Sequence, residues 1–496
     1  MGPQSGATVA AGKVGIGPMK GVEKFSGLAS DSREVKPGYL FAALAGTRAD
    51  GKAFMADAVR RGAVAVLGAP NIRKDAETLG VPFIADTNPR LRLARIAAAF
   101  FGEQPEIVAA ITGTNGKTSV SVFLRQIWAE LGHKAASMGT IGVVAPSREI
   151  KLHHTTPDPI EMHALLAQLK REGVEHLAIE ASSHGLDQYR IDGVDVAAVA
   201  FTNITRDHLD YHPDFEHYLA VKLRLFSEIA RAGGVAVVNA DTDQAGTFIA
   251  AAKARELQLM TVGVQGETLK LIAQTPSKDG QILRVVFAGK TFEIKLPLAG
   301  AFQASNALVA AALTIGLGDS AESVFAALAK IKGAPGRLEK VAFASAGAPV
   351  FVDYAHTPDA LESVLNAMRP HVTGKLRVVF GCGGDRDKGK RPLMGSIAAH
   401  LADSVIVTDD NPRSEDPAQI RREILAACPG ASEIGDRAAA IRAGIAALES
   451  GDVLVIAGKG HETGQTIGSE TRHFSDSEEA AKSAVALGGR AAGARS

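Results

Sequence analysis

The sequence predicts an α/β protein of three domains, and three observations carry that expectation. The chain has 496 residues, too many for one ordinary core, and at about 150 residues per domain it holds roughly three. Short apolar runs recur along it: EIVAAIT (106–112), HLAIE (176–180), VAAVAFTNIT (196–205), GVAVVNAD (234–241), PVFVDYAH (349–356), LRVVFGCGG (376–384), SVIVTDDNPR (404–413) and DVLVIAGKG (452–460). Such runs suit strands buried on both faces. Helical patterns lie between them. Within 419–428, Ile420, Ile424, Leu425 and Cys428 share one helix face. Strands alternating with helices make βαβ units and parallel sheets.

Several of these runs end in dense polar signatures. In open α/β sheets, ligands bind at the carboxyl ends of the strands, so the pattern points to an enzyme. The expected segments are 20–106, 107–333 and 334–490. The Gly/Pro stretch KGAPGR (332–337) marks the second boundary as a linker. The first 20 residues read as a flexible leader, and the tail GGRAAGARS is expected to fray.

Composition bounds the class. Hydrophobic residues at 46% and charged residues at 22% are typical of soluble globular protein. Lys plus Arg equals Asp plus Glu at 54 each, which gives no global electrostatic reason to bind nucleic acid or an anionic membrane. No 18-residue apolar run suggests a transmembrane helix, and no apolar core near the start suggests a signal peptide. Cys382 and Cys428 are the only cysteines, too few for a disulfide framework, so a reducing cytoplasmic compartment is expected. A monomer is the default expectation.

The stretch ITGTNGKTSV (111–120) follows an apolar strand and precedes a helical pattern, the context of a phosphate loop. Gly113 and Gly116 let backbone N–H groups of Thr114, Asn115 and their neighbours turn toward an anion. Lys117 can reach the outer phosphates, and the Thr118 hydroxyl, with Ser119 beside it, sits where Mg²⁺ ligands are found. The following helix N-terminus adds a favourable dipole. The usual first glycine is absent: Ile111 stands there. A glycine-rich turn capping a helix is the plainer reading of G-K-T alone.

The GTNGKT loop, followed by TTPD (155–158), EASSHGLDQYR (180–190), FTNITRDHLDYH (201–212), DYAHTPDAL (353–361), DNPR (410–413) and GKGHE (458–462), resembles the signatures of the Mur ligases. It is also similar to the related folylpolyglutamate synthetases. The resemblance spans about residues 22–480 in the expected order. It implies a uridine-nucleotide-binding N-terminal α/β domain, a central P-loop ATPase domain with a parallel sheet, and a Rossmann-like C-terminal domain. In this family ATP activates a carboxylate as an acyl phosphate, which an amine then attacks.

Roles follow by resemblance. Glu180 and His208 would lie near Mg²⁺ or phosphate, two ions being implied. Lys222 would be carbamylated, turning a cation into an anion that positions metal; its plainer reading is a snorkelling lysine. A zinc site at His208 and His212 is not expected, for want of further ligands at zinc-like spacing. Asn306, Arg337, Asp353 and His356 would face ATP. Ser30, Ser32, Thr47, Arg48 and Ala49 would meet the uridine diphosphate. Thr155, Thr156, Ser182, Gln188 and Arg190 would hold the muramoyl dipeptide, with His154 standing where the family often has Asn.

The tetrapeptide Asp410, Asn411, Pro412, Arg413 resembles the amino-acid selection motif of family members that add meso-diaminopimelate. That amino acid is lysine with an extra carboxylate, and an Arg left unpaired by lysine discriminates the two. Arg386 and Gly458 would complete the pocket, with Glu462 taking an ammonium. The stretch is also a turn former. A lysine-adding ligase and a nucleotide-dependent switch protein remain alternatives.

Overall fold

The computed structural model describes residues 24–46, 50–205, 211–277 and 280–492. Its contacts divide the chain into two compact units: Met1–Lys117 with Gly132–Met260, and Thr118–Leu131 with Thr261–Ser496. The leader and the last four residues lie outside the described residues.

The first unit opens with β1 (Gly27–Ala29), β2 (Tyr39–Ala43), β3 (Ala63–Gly68) and β4 (Phe83–Ala85), a parallel sheet in the order β1-β2-β3-β4. Successive side chains on β2 point to opposite faces. Phe41 accordingly joins Met55 and Val66 in one core, and Leu40 joins Leu67, Leu93 and Ile96 in another. The helix Pro89–Phe101 closes the second face. Its start is fixed by Asn88, whose side chain accepts the Leu91 N–H, and by Pro89; Gly102, at φ 72°, ends it.

The same unit continues with β5 (Ile107–Thr112), β6 (Ala135–Gly139), β7 (Gly142–Ala145), β8 (Arg148–Ile150), β9 (His176–Glu180), β10 (Val196–Phe201) and β11 (Ala230–Asn239). Their order is β11-β10-β5-β9-β6-β7-β8, parallel from β11 to β6 and antiparallel beyond. Fully buried strands explain the unbroken apolar runs. Register places Ile111 of β5 beside Glu180 of β9 and Ala200 of β10, so the strands end together where the phosphate loop begins.

Strand β12 (Gln258–Gly263) runs across the division of the chain. The second unit holds β13 (Leu269–Ser277), β14 (Gly280–Phe287) and β15 (Lys290–Leu296), an antiparallel meander absent from the expected strands. Then come β16 (Glu339–Phe343), β17 (Pro349–Asp353), β18 (Leu376–Phe380), β19 (Ser404–Val407), β20 (Ser432–Glu433) and β21 (Val453–Ala457), followed by the hairpin β22 (Gly464–Ile467) and β23 (Glu470–His473), and by β24 (Arg490–Ala491). The sheet order is β20-β19-β18-β21-β17-β16-β24, parallel from β20 to β17.

One expectation is corrected here. The tail does not fray as a whole: Arg490 and Ala491 pair antiparallel with β16, and the Arg490 guanidinium lies over the Phe343 ring. The 332–337 stretch is closely packed at one point. Gly336, at φ 63°, packs so closely that a Cβ would lie 2.1 Å from the His461 nitrogen. Both cysteines are buried thiols; burial pushes Cys382 up to about 12. Among the described residues, no helix is long and apolar enough to cross a membrane.

Candidate active site

The phosphate loop is built as its glycines require. Gly113 sits at φ 151° and Gly116 at φ 88°. A Cβ on Gly113 would lie 1.9 Å from Thr202 Oγ1. The end of β10 braces the loop: Thr114 N–H donates to Asn203 O at 2.8 Å and Asn115 N–H to Asn203 Oδ1 at 2.9 Å, while Thr202 Oγ1 donates to Asn115 O at 2.6 Å. Lys117 Nζ curls back onto Gly113 O and Thr114 O, both at 2.8 Å. Thr118 and Ser119 are buried in the first turn of the helix Lys117–Glu130. Thr202 and Asn203 lie within FTNITRDHLDYH, but no periodicity in the sequence marks them as braces.

Two charged side chains flank the loop's strand. Glu180, the last residue of β9, is buried, and its carboxylate accepts the Thr140 N–H at 2.8 Å and the Thr140 hydroxyl at 3.1 Å. Gly139 makes room for it, since a Cβ there would lie 2.0 Å from Glu180 Oε1. Lys222, on the helix Phe215–Arg224, is equally buried. Its Nζ donates to Gly113 O at 2.9 Å and lies 4.6 Å from the centre of the Tyr218 ring. The Tyr218 hydroxyl is 3.0 Å from Thr114 Oγ1. His208 lies outside the described residues. Neither Thr140 nor Tyr218 was legible beforehand, because each acts through a partner far away in sequence.

The residues assigned to the dipeptide form one polar network in this unit. Thr156 Oγ1 is 2.9 Å from Ser182 Oγ and donates to Glu180 O at 2.8 Å. Thr155 Oγ1 is 3.2 Å from Thr140 Oγ1. Arg190 donates to Thr156 O and to Gln188 Oε1, each at 2.8 Å, and Gln188 Nε2 donates to the Tyr211 hydroxyl at 3.2 Å. His154 is exposed; desolvation first, then Arg190, hold its imidazole below the usual range. Near the start of the chain Ser30 is exposed and Ser32 buried. Thr47, Arg48 and Ala49 lie outside the described residues.

The second unit gathers the remaining residues in two clusters. In the first, Asn306 Nδ2 is 3.5 Å from Gln303 Oε1, and Gln303 donates to Arg337 O at 2.8 Å. The Arg337 guanidinium stacks 4.8 Å from the Tyr354 ring centre, and the His356 and His461 rings pack on the same tyrosine. Burial holds both imidazoles below the usual range, His461 down to about 4. Asp353 is fully buried, and its carboxylate accepts the N–H groups of Leu338 at 2.6 Å and Ala355 at 2.8 Å.

The second cluster surrounds DNPR. Asn411 Nδ2 donates to Glu462 Oε2 at 3.1 Å, and Asn411 Oδ1 accepts the Thr466 N–H at 3.0 Å. Lys459, wholly buried, donates to Asn411 Oδ1 and Glu462 Oε2, both at 3.2 Å, and lies 3.7 Å from Asp410 Oδ1. Desolvation raises the Asp410 carboxyl, against the attraction of Arg437 and Lys459. Gly458, at φ 119°, faces Asp410 Oδ2. Pro412 is buried, while Arg413 stands at φ 52° with Nη1 donating to Gly384 O at 2.7 Å. Arg386 is exposed and has no ion pair among the described residues. Lys459 pairs with both Asp410 and Glu462, and the guanidinium groups of Arg413 and Arg386 are the further cations of this cluster, of a kind suited to carboxylate.

A braced phosphate loop with a buried glutamate at the neighbouring strand end suits a nucleotide-dependent enzyme, and comparison with known proteins makes its class a ligase. The chain belongs to the Mur ligase family. Family models match it as Mur ligase family, catalytic domain, over residues 24–101; as Mur ligase middle domain over 111–314; and as Mur ligase, glutamate ligase domain, over 336–460. UDP-N-acetylmuramoyl-L-alanyl-D-glutamate–2,6-diaminopimelate ligase of Bradyrhizobium diazoefficiens is 56% identical, covering 93% of this chain and 95% of its own. The protein of the same name from Mesorhizobium japonicum is 55% identical over 94% and 96%. A solved structure of a 2,6-diaminopimelate ligase of that name superposes with a TM-score of 0.71 at 33% identity, covering 93% of this chain and 95% of its own.

Proposed function

We propose that the chain is an ATP-dependent ligase that adds meso-diaminopimelate to the D-glutamyl γ-carboxylate of UDP-N-acetylmuramoyl-L-alanyl-D-glutamate, in cytoplasmic peptidoglycan precursor synthesis. The observation that carries this is whole-chain identity above 50% to proteins named as 2,6-diaminopimelate ligases. The segments 20–106, 107–333 and 334–490 then serve uridine nucleotide, ATP and amino acid in turn.

The chemistry follows from charge. A carboxylate oxygen must attack the γ-phosphorus of ATP, and two anions repel. Lys117, now bonded to its own loop carbonyls, exchanges them for phosphate oxygens, while backbone N–H groups of the loop hold the rest. The oxygen–phosphorus bond forms as the bond to ADP breaks. The neutral α-amine at the L-centre then attacks the acyl carbon, the amine proton leaves, and phosphate departs with its electron pair. Arg413 and Arg386 take the far carboxylate of the amino acid, which lysine lacks.

Thr118 and Glu180 offer the hard oxygens that Mg²⁺ prefers. Magnesium, when bound, supplies the remaining screening between phosphate and carboxylate. Carbamylation of Lys222 is part of this reading. The neutral amine is the form that takes up CO₂, and the product is an anion. The carbonyl and ring now facing Nζ suit a cation, and a carbamate would have to turn from both.

The deciding experiment is competition between meso-diaminopimelate and L-lysine in an ADP-release assay with the UDP-muramoyl dipeptide. Preference for diaminopimelate is expected. Preference for lysine would sink the assignment, and ADP release without the dipeptide would point to a nucleotide switch.

A further inference from the structure

We propose that His133, Glu175 and His176 form a binding site for a divalent cation of the zinc class, apart from the nucleotide chemistry. One ligand atom from each of the three lies within 4.8 Å of the other two. The two imidazole rings lie 4.2 Å apart, centre to centre, tilted by 33°.

The fold holds the three together by its backbone. Lys134 O accepts the Glu175 N–H at 2.9 Å and the His176 N–H at 3.2 Å, and Lys134 N–H donates to Glu175 Oε2 at 3.3 Å. His176 opens β9, registered between Ile107 of β5 and Ala135 of β6. His133 is thereby carried to the same sheet end by the short turn into β6. Glu180 closes the same strand, four residues on, or about 13 Å away at 3.3 Å per residue. The cluster therefore sits at the end of the sheet opposite the phosphate loop.

The donor set selects the ion. Two imidazoles with one carboxylate suit Zn²⁺ and its borderline neighbours. Mg²⁺ and Ca²⁺ take oxygen ligands and gain little from imidazole. His176 is buried, Glu175 exposed and His133 between, so an ion held by all three meets solvent on one side, where water completes a four-coordinate shell. Such an ion would clip the start of β9 to the turn that leads into β6.

The test uses the full chain, stripped with chelator and dialysed against Zn²⁺ in excess Mg²⁺, which competes for the oxygen-rich nucleotide site. One equivalent of zinc is expected to remain. His133→Ala and Glu175→Gln, both outside the strand core, should weaken Zn²⁺ at least about tenfold, as losses around bound metal commonly do. Zinc should raise the melting temperature of the parent chain and not that of His133→Ala. Co²⁺ should give intense visible absorption in the parent chain alone. No zinc retained over magnesium, or equal zinc affinity in the parent chain and in folded His133→Ala, would overturn the proposal. A decisive control is that ligase turnover stays unchanged in His133→Ala.

Discussion

Asp353 accepts the backbone N–H of Leu338 at 2.6 Å, and Leu338 is held at φ 48°, in the left-handed region. A leucine there is strained, so the carboxylate acts as a latch. It fixes the turn that carries Arg337 and aims its guanidinium at Tyr354. Burial raises the Asp353 carboxyl to about 6 from its ordinary 3.8.

The pH consequence has a definite sign. Because the folded value lies above the unfolded one, the stability tied to the bound proton is fully present below about 4. It is lost as pH rises through 6, amounting to about 3 kcal/mol across the window. Asp353→Asn does not titrate, so its deficit against the parent chain should be larger at pH 4.5 than at 7.5. Urea unfolding followed by the single, buried tryptophan, Trp128, reads this directly. A deficit equal at both pH values would refute the latch's titration.

Thr140 holds Glu180 through both its N–H and its hydroxyl. A hydrogen bond to a charged group contributes about 1.5–3 kcal/mol. Thr140→Val should lower turnover roughly 10- to 100-fold at saturating ATP and raise the Mg²⁺ requirement, while Thr140→Ser restores most of both. A Val variant with parent Mg²⁺ dependence would show that Glu180 needs no such orientation.

Which of these features were legible in the sequence depended on how local their causes are. The phosphate loop was readable because strand, glycines and helix start are consecutive, and the buried parallel strands because an unbroken apolar run is local too. Thr140 and Asn203 are not legible, since each matters through a residue brought close only by sheet register, nor is Lys459, whose partners Asp410 and Asn411 lie at the end of another strand of its sheet. The meander β13–β15 is not legible as buried strand because its strands alternate polar and apolar side chains and carry one exposed face. Arg386 and Arg413 were legible as chemistry, but not that Lys459 already occupies Glu462.

Arg413 combines recognition with backbone strain, and the two can be separated. At φ 52° a side chain costs about 1 kcal/mol that glycine does not. Arg413→Gly should therefore be as stable as the parent chain or slightly more so. Its KM for diaminopimelate should rise about 100-fold or more, since a charge-assisted pair is lost, with KM for ATP nearly unchanged. Steady-state kinetics with each substrate varied in turn decide it. Equal rises in both constants would mean that Arg413 shapes the site rather than binding the amino acid.

Lys222 offers the sharpest test of the activated-carboxylate chemistry. Its Nζ reaches Gly113 O within the phosphate loop, so a neutral truncation and a lost carbamate would both slow the reaction. The two differ in what repairs them. Lys222→Ala should lose most of its turnover and regain a measurable part of it with acetate or formate. A small carboxylate can enter the space left by the side chain and supply the missing anion. Methylammonium, which replaces the cation instead, should not help. Rescue by the amine and not by the acid would show that Lys222 works as an ammonium beside Tyr218, and full activity without either would remove it from the mechanism.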